Sequence, residues 1–297
     1  MSLLSSPQGT PERVWSLISL LAASGGSLER TAAAECLNPG FTENTIQMLE
    51  KPTAFSQTLG AATSLDAVET DRTDLRLHPS CPTDSYAAFC DWVHARLVSL
   101  DSTEKDAVVL ETFAWVAVET DRQGSCNWLH DATNDAFADA ADKALPPGND
   151  DDGDRRINTV KLAAWRRWLL SLGLAVPLPI VGAAAHPLVD SRVARVVRSL
   201  EGQAAQDLSA DAFLTLLAPR LPYLDGGRMF LETARRVGHA LAPRRLSPIL
   251  SATLRNLHDD GLIEMRLQGD AGNLMHLHQD RTHKVSSFNS VVLTGAA

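Results

Sequence analysis

The chain has 297 residues, a hydrophobic content of 44% and a formal net charge of −9. This composition is typical of a soluble globular protein with hydrophobic cores, and the length allows one large domain or two to three small ones. No segment is apolar over the length that a bilayer requires, and the first residues lack the basic start and apolar run of a signal peptide. We therefore expect a cytoplasmic protein without a membrane partner.

Charge is distributed unevenly along the chain, and the overall acidity argues against non-specific nucleic-acid binding. Residues 87–156 contain 6 Lys or Arg and 15 Asp or Glu, a balance of −9. Residues 228–297 contain 9 Lys or Arg and 6 Asp or Glu, a balance of +3, together with five of the nine histidines. A nucleic-acid contact is therefore expected only in the C-terminal quarter.

The first 80 residues have the pattern of a winged helix. Pro11 in the first turn and Gly25-Gly26 after the last turn are the start and stop signals of a first helix. The elements that follow are a helix from about Leu28 to Leu37, a helix beginning at Thr42, and short strands at Leu65–Thr70 and Asp74–His78. Glu43 and Glu50 on the third helix would repel phosphate, so this unit favours protein contact or structural support over DNA binding.

The region between the two ends is predicted to be helical. The predicted segments are a middle domain at 84–145 with helices at Tyr86–Leu100, Glu104–Val118 and Asn127–Leu145, an acidic linker at 146–156, and a helical connector at 157–205. The linker is rich in Pro, Gly and Asp, which break regular structure. In the connector, Arg192, Arg195 and Arg198 recur every third residue and share one broad face, which we expect to be solvated.

Residues 209–297 have the clearest pattern, that of a second winged helix. Ser209 and Ser247 are candidate N-caps, and Pro248 suits the first position of a helix. The predicted elements are helices at Ser209–Leu217, Arg228–Leu241 and Ser247–His258, a strand at Leu262–Leu267, a loop at Gln268–Asn273 and a strand at Leu274–His278. Val285–Leu293 either adds a strand or stays irregular. The fold class is thus mainly α with small β-hairpin wings, with two winged-helix-like modules flanking a helical middle region.

Six residues of the C-terminal unit are candidates for contact with DNA. In a winged helix the third helix usually enters the major groove, and the hairpin touches the minor groove or phosphates. Leucines at core spacing on Ser247–His258 direct the intervening polar residues outward. The candidates are Arg244 and Arg245 before this helix, Ser251 and Arg255 on it, and Arg266 and His276 on the strands. The alternative is that they are ordinary surface groups of a domain that binds protein.

No catalytic or metal-binding pattern stands out. The motifs GxxxxGK[ST], GxSxG and HExxH are absent. Asn149–Asp154 is acidic, but placing Gly153 at the sixth position of a calcium loop leaves Gly148 and Thr159 where carboxylates are required. His276 and His278 share a strand face without an evident third ligand. We therefore predict a non-catalytic protein without metal or cofactor, while residues distant in sequence can still converge into a site.

Several segments together resemble the DpdG family. They are MSLLSSP at the start, NTVKLAAWRRWLLSLGL, LPYLDGG and the terminal winged unit. That family accompanies bacterial 7-deazaguanine DNA-modification and phage-defence clusters, so the resemblance implies a role in DNA modification or restriction, with no catalytic residue to carry over. The leading hypothesis is a DNA-binding component that acts with other protein subunits of such a system. The alternatives are an adaptor whose winged helices dock partner proteins, and a dimeric transcription regulator on a palindromic site.

Overall fold

The computed structural model describes residues 2–38, 53–148, 155–178, 185–200, 202, 207–269 and 273–294. Over these ranges the protein is mainly helical with small antiparallel sheets, which confirms that part of the predicted fold class. The predicted helix beginning at Thr42 and most of the predicted acidic linker lie outside the described residues. None of the described helices is long and apolar enough to cross a membrane.

The elements follow in chain order. The helices are α1 (Pro11–Ala23), α2 (Arg30–Leu37), α3 (Thr53–Ser64), α4 (Tyr86–Ser99), α5 (Val108–Gln123), α6 (Trp128–Asp131), α7 (Asn134–Ala144), α8 (Thr159–Leu172), α9 (Asp190–Leu200), α10 (Ala210–Leu217), α11 (Arg228–Arg236) and α12 (Pro248–Asp259). The strands are β1 (Ser27–Glu29), β2 (Val68–Thr70), β3 (Asp74–Leu77), β4 (Ala175–Val176), β5 (His186–Pro187), β6 (Asp207–Ser209), β7 (Ile263–Arg266), β8 (Met275–His276), β9 (Ser287–Phe288) and β10 (Ser290–Leu293).

Capping side chains set the starts of several helices. The Ser209 and Ser247 hydroxyls accept hydrogen bonds from the backbone N–H of Ala212 and Leu250, which confirms both predicted N-caps. Asn158 caps α8 in the same way. These caps satisfy N–H groups that have no partner within the first turn. The sequence therefore located the starts of α10 and α12 to within one residue.

The N-terminal unit contains the predicted hairpin and one additional strand. β2 and β3 pair antiparallel, with Val68 opposite Leu77 and Thr70 opposite Leu75. β1 pairs with the other edge of β3, which gives the strand order β1-β3-β2. Three-residue β1 is too short to carry a periodic signal, so sequence patterning did not reveal it.

The C-terminal unit has the same strand order but a different pairing from the predicted one. The prediction that Leu262–Leu267 pairs with Leu274–His278 is wrong: β7 pairs with β10, whose other edge pairs with β6. Val291 and Leu293 of β10 are buried opposite Met265 and Ile263, so this register encloses four apolar side chains. In both units the last strand lies between the first and the second. The winged-helix assignment of the two units stays a prediction.

Helix α5 lies at the centre of the molecule. Every residue from Val108 to Asp121 is buried, and the helix packs against α4, α7, α8, α11 and α12. A helix that is apolar around its circumference belongs in a core, but this one also encloses Glu111, Glu119 and Asp121. Buried carboxylates need partners, so the residues that pair with them mark the polar sites of the fold.

Two predictions for the middle of the chain need correction. The single helix expected at Asn127–Leu145 is two helices, α6 and α7, because Thr133 accepts a hydrogen bond from Ala136 N–H and starts a new helix. The arginines of α9 do not all lie on a solvated face. Arg192 is 4% exposed, and its guanidinium donates to Asp91 Oδ1 at 2.6 Å and to the Leu172 carbonyl at 2.8 Å. These acceptors offset the cost of burying the charge.

Candidate nucleic-acid interface

Helix α12, the predicted DNA-reading helix, is enclosed on most of its surface. It packs against α5, α9 and β7, so polar as well as apolar positions are covered. Ser251 is 0% exposed and Arg255 is 5% exposed. The prediction that these two side chains point outward is therefore wrong. The exposed positions of α12 include Ala252 and Asn256, and the Asn256 amide donates to Asp190 at 2.7 Å.

The buried side chains of α12 hold the chain segment that follows β8. Arg255 Nε donates to the Val285 carbonyl at 3.0 Å, and its Nη2 donates to the His278 carbonyl at 2.8 Å. Ser251 Oγ accepts from His278 N–H at 2.7 Å. Both ends of the loop Gln279–Lys284, called here the 279–284 loop, are thus fixed from the interior. Arg255 and Ser251 therefore position this loop.

The 279–284 loop is also ordered by its own contacts. Asp280 accepts hydrogen bonds at 2.7 Å from the backbone N–H and from the hydroxyl of Thr282, and these bonds lower the pKa of Asp280. His283 Nε2 lies 3.1 Å from Asp259 Oδ1. Arg281 and Lys284 are exposed, and no carboxylate among the described residues pairs with either of them. Sequence reasoning missed both cations because they lie in a segment without periodicity.

Three of the remaining predicted residues, Arg244, Arg245 and His276, lie on or beside β8. The backbone of His276 donates to the Arg244 carbonyl at 2.8 Å and accepts from Leu246 N–H at 2.9 Å, and the His276 side chain is exposed. Arg244 has a left-handed φ of +55°, which is strained for a residue with a Cβ. Its guanidinium donates to the carbonyls of Leu274 and Asn273, so Arg244 fixes the chain directly before β8.

A cavity of about 270 Å³ beside Arg244 and Arg245 is lined by Asp121, Asp211 and Asp225. Arg244 pairs with Asp211 at 3.3 Å and Arg245 with Asp121 at 3.7 Å. Because the carboxylates neutralise the guanidinium groups, these arginines are less available to phosphate than unpaired ones.

Asp225, which also lines this cavity, is partly buried. Burial raises its pKa to about 6, while the backbone N–H and the hydroxyl of Ser247 each donate to it at 2.6 Å. It therefore connects the start of α12 to the turn before α11. Among the described residues, no group of three His, Cys, Asp or Glu side chains is placed to hold a metal ion.

Arg266, the sixth predicted residue, lies on β7. Its side chain is exposed and forms an ion pair with Glu264 two residues earlier on the same strand. This exposed pair contributes little to stability, and a stronger anion can displace the carboxylate. The structure thus leaves Arg245, Arg266 and His276 at the surface, partly exposes Arg244, and buries Ser251 and Arg255.

Comparison with known proteins gives one match. The family model described as DpdG-like matches residues 1–271, a range that ends before β8. Among the curated proteins and among the solved structures, nothing matches the chain. The match covers well over half of the sequence, and the family indicates a component of a DNA-modification system. The chain belongs to the DpdG-like family.

Proposed function

We propose that this protein is a non-catalytic, DNA-binding component of a DNA-modification or phage-defence system and contacts DNA through its C-terminal unit. The observation that carries the proposal is the 279–284 loop, which presents Arg281 and Lys284 at the surface without a carboxylate partner among the described residues. The succession of β6, α10, α11, α12, β7 and β10, with the last strand between the other two, supports a winged-helix-like unit.

The 279–284 loop suits phosphate for two physical reasons. Arg and Lys carry charged N–H groups that donate hydrogen bonds to phosphate oxygens. An unpaired side chain also does not have to break an existing ion pair before it binds phosphate. The bonds from Arg255, Ser251 and Asp259 hold the loop in one conformation, which lowers the entropy that binding has to remove.

The proposed surface therefore differs from the one predicted from the sequence. Arg245, Arg266 and His276 remain on it as exposed groups, and Ser251 and Arg255 act by positioning the loop. Since α12 offers no exposed cation among its described residues, most contacts would go to the DNA backbone. We therefore expect binding that depends strongly on salt and weakly on sequence.

The test is duplex DNA binding by the Arg281→Ala/Lys284→Ala variant at two salt concentrations. If each cation meets one phosphate, affinity falls and the slope of log K against log salt decreases by about 1.8, since each contact contributes about 0.9. Arg72→Ala is the matched control because Arg72 is an exposed cation on the hairpin of the N-terminal unit. Unchanged affinity and slope in the double variant, or an equal loss in Arg72→Ala, would refute the proposal.

An adaptor that docks partner subunits is the second candidate, and Leu267 favours it. This side chain follows β7 and is 64% exposed, an unusual position for a large apolar group. Leu267→Asp should then reduce assembly with the other subunits of the system, measured by analytical ultracentrifugation of purified components. If Leu267→Asp leaves assembly unchanged and Arg281→Ala/Lys284→Ala loses DNA binding, the adaptor role is refuted and the DNA-binding role is supported.

A further inference from the structure

A second cavity, of about 320 Å³, lies between α5, α7 and the end of α11 and includes no residue of the 279–284 loop. Three aromatic side chains line it. Trp115 packs edge-on against Trp128 and Phe137, with ring centroids 5.4 and 5.1 Å apart. Trp128, the first residue of α6, is partly exposed, so the cavity presents an aromatic surface to solvent.

The rim of this cavity is positively charged, although residues 87–156 are strongly acidic overall. Arg122, Lys143 and Arg236 line it together with one carboxylate, Glu119, which pairs with Arg122 at 2.8 Å. Arg236 Nε donates to the Ala144 carbonyl at 2.6 Å, which fixes the guanidinium at the rim. Lys143 is exposed and has no partner among the described residues. Arg236 Nη2 also lies 3.5 Å from Oε2 of the buried Glu111, so among the described residues that line this rim only Lys143 has no carboxylate partner.

The remaining wall is flat. Ala136, Ala140 and Ala144 recur every fourth residue and place a row of methyl groups along α7, beside Phe137 and Lys143. A flat apolar wall facing aromatic rings favours a planar ligand. The cavity volume is at the lower end of the range for small-molecule sites, which suits one ring system with a short substituent.

We propose that this cavity binds a small planar aromatic anion. Its ring system would pack on Trp128 and the alanine wall, and its phosphate or carboxylate would meet Lys143 and Arg236. The aromatic surface supplies apolar burial and stacking, Lys143 supplies an unpaired positive charge, and the guanidinium of Arg236 supplies further N–H donors. This site shares no residue with the proposed DNA contact, so substitutions can test the two separately.

The test uses one aromatic phosphate and one aromatic carboxylate, together with an uncharged aromatic compound and an anion without a ring. Adenosine 5′-monophosphate and indole-3-acetate are titrated into the full-length protein at up to millimolar concentration, with calorimetry and tryptophan fluorescence as readouts. Adenosine and inorganic phosphate are titrated in parallel. We expect saturable binding of at least one of the two aromatic anions. We expect binding about tenfold or more weaker for adenosine and for inorganic phosphate, because each retains half of the recognised chemistry.

Variants separate this site from general effects on folding. Trp128→Ala and Lys143→Ala should each weaken binding about tenfold. Ala140→Trp should abolish binding by filling the cavity from an exposed helical position, where a large side chain leaves the core unchanged. Arg72→Ala is the matched charge control and should bind as the wild type does. The proposal is overturned if neither anion binds saturably, if adenosine binds as well as its phosphate, or if binding survives Ala140→Trp.

Discussion

Replacing Arg255 by Met tests whether this arginine supports the fold or contacts DNA. The side chain donates at 2.8 and 3.0 Å to two main-chain carbonyls and is 5% exposed. Met keeps the length of the stem but leaves both carbonyls without a partner. Each lost hydrogen bond to a charged group costs about 1.5–3 kcal/mol, and the lower cost of burying a neutral side chain offsets part of it. We expect the free energy of unfolding to fall by about 2–4 kcal/mol.

The assay is urea denaturation followed by far-UV circular dichroism, with Arg281→Met as the matched control. Arg281 is exposed and unpaired within the described structure, so its substitution should change the free energy of unfolding by no more than about 0.5 kcal/mol. A direct DNA contact by Arg255 predicts the opposite pattern, with unchanged stability and weakened binding. A loss in Arg255→Met as small as that in Arg281→Met would refute the positioning role.

Three further predictions concern stability. Burial lowers the pKa of His94, whose Nε2 lies 2.8 Å from Tyr223 Oη, to about 3, so wild-type stability should fall by about 2 kcal/mol as pH falls from 6.5 to 5. His94→Gln should lose this dependence in denaturation measured at a series of pH values. The same dependence of stability on pH in the variant and the wild type would contradict the prediction. Burial raises the pKa of Asp225 to about 6, so the stability of the wild type relative to Asp225→Asn should decline by about 2 kcal/mol as pH rises from 4 to 6. A relative increase in stability over this range would contradict the assigned direction of the pKa shift. Gly173→Ala should lower the melting temperature more than Gly238→Ala, since both glycines have positive φ but only at Gly173 would a Cβ lie 2.7 Å from Ser191 Oγ; equal losses would exclude the steric contribution.

Local signals predicted the helix starts well, whereas the enclosure of α12 could not be read from its sequence. A hydroxyl or amide before an apolar run acts within its own turn, so Ser209, Ser247 and Asn158 cap helices where their positions indicate. The leucines of α12 mark one buried face and leave Ser251 and Arg255 on what resembles a polar face. Only the tertiary structure shows that α5 and α9 cover that face as well.

Strand pairing in the C-terminal unit depended on contacts distant in sequence. The segment Leu274–His278 is nearer to β7 along the chain than β10 is, and proximity favours a hairpin. β10 displaces it because Val291 and Leu293 are buried in register with Met265 and Ile263. The displaced segment instead pairs with β9 and docks on the Arg244–Leu246 backbone. The 279–284 loop exists because of this exchange, so sequence proximity alone could not locate Arg281 or Lys284.

The anchoring of the 279–284 loop by Arg255 and Ser251 has a consequence for genetics. A random screen for loss of function would recover substitutions in α12 that never touch a partner, because they release the loop from inside. Such alleles should be temperature-sensitive, because a moderately destabilised protein stays folded at low temperature and unfolds at a higher one. Alleles at Arg281 or Lys284 should instead be defective at every temperature, and this difference would sort the two classes without a structure of any variant.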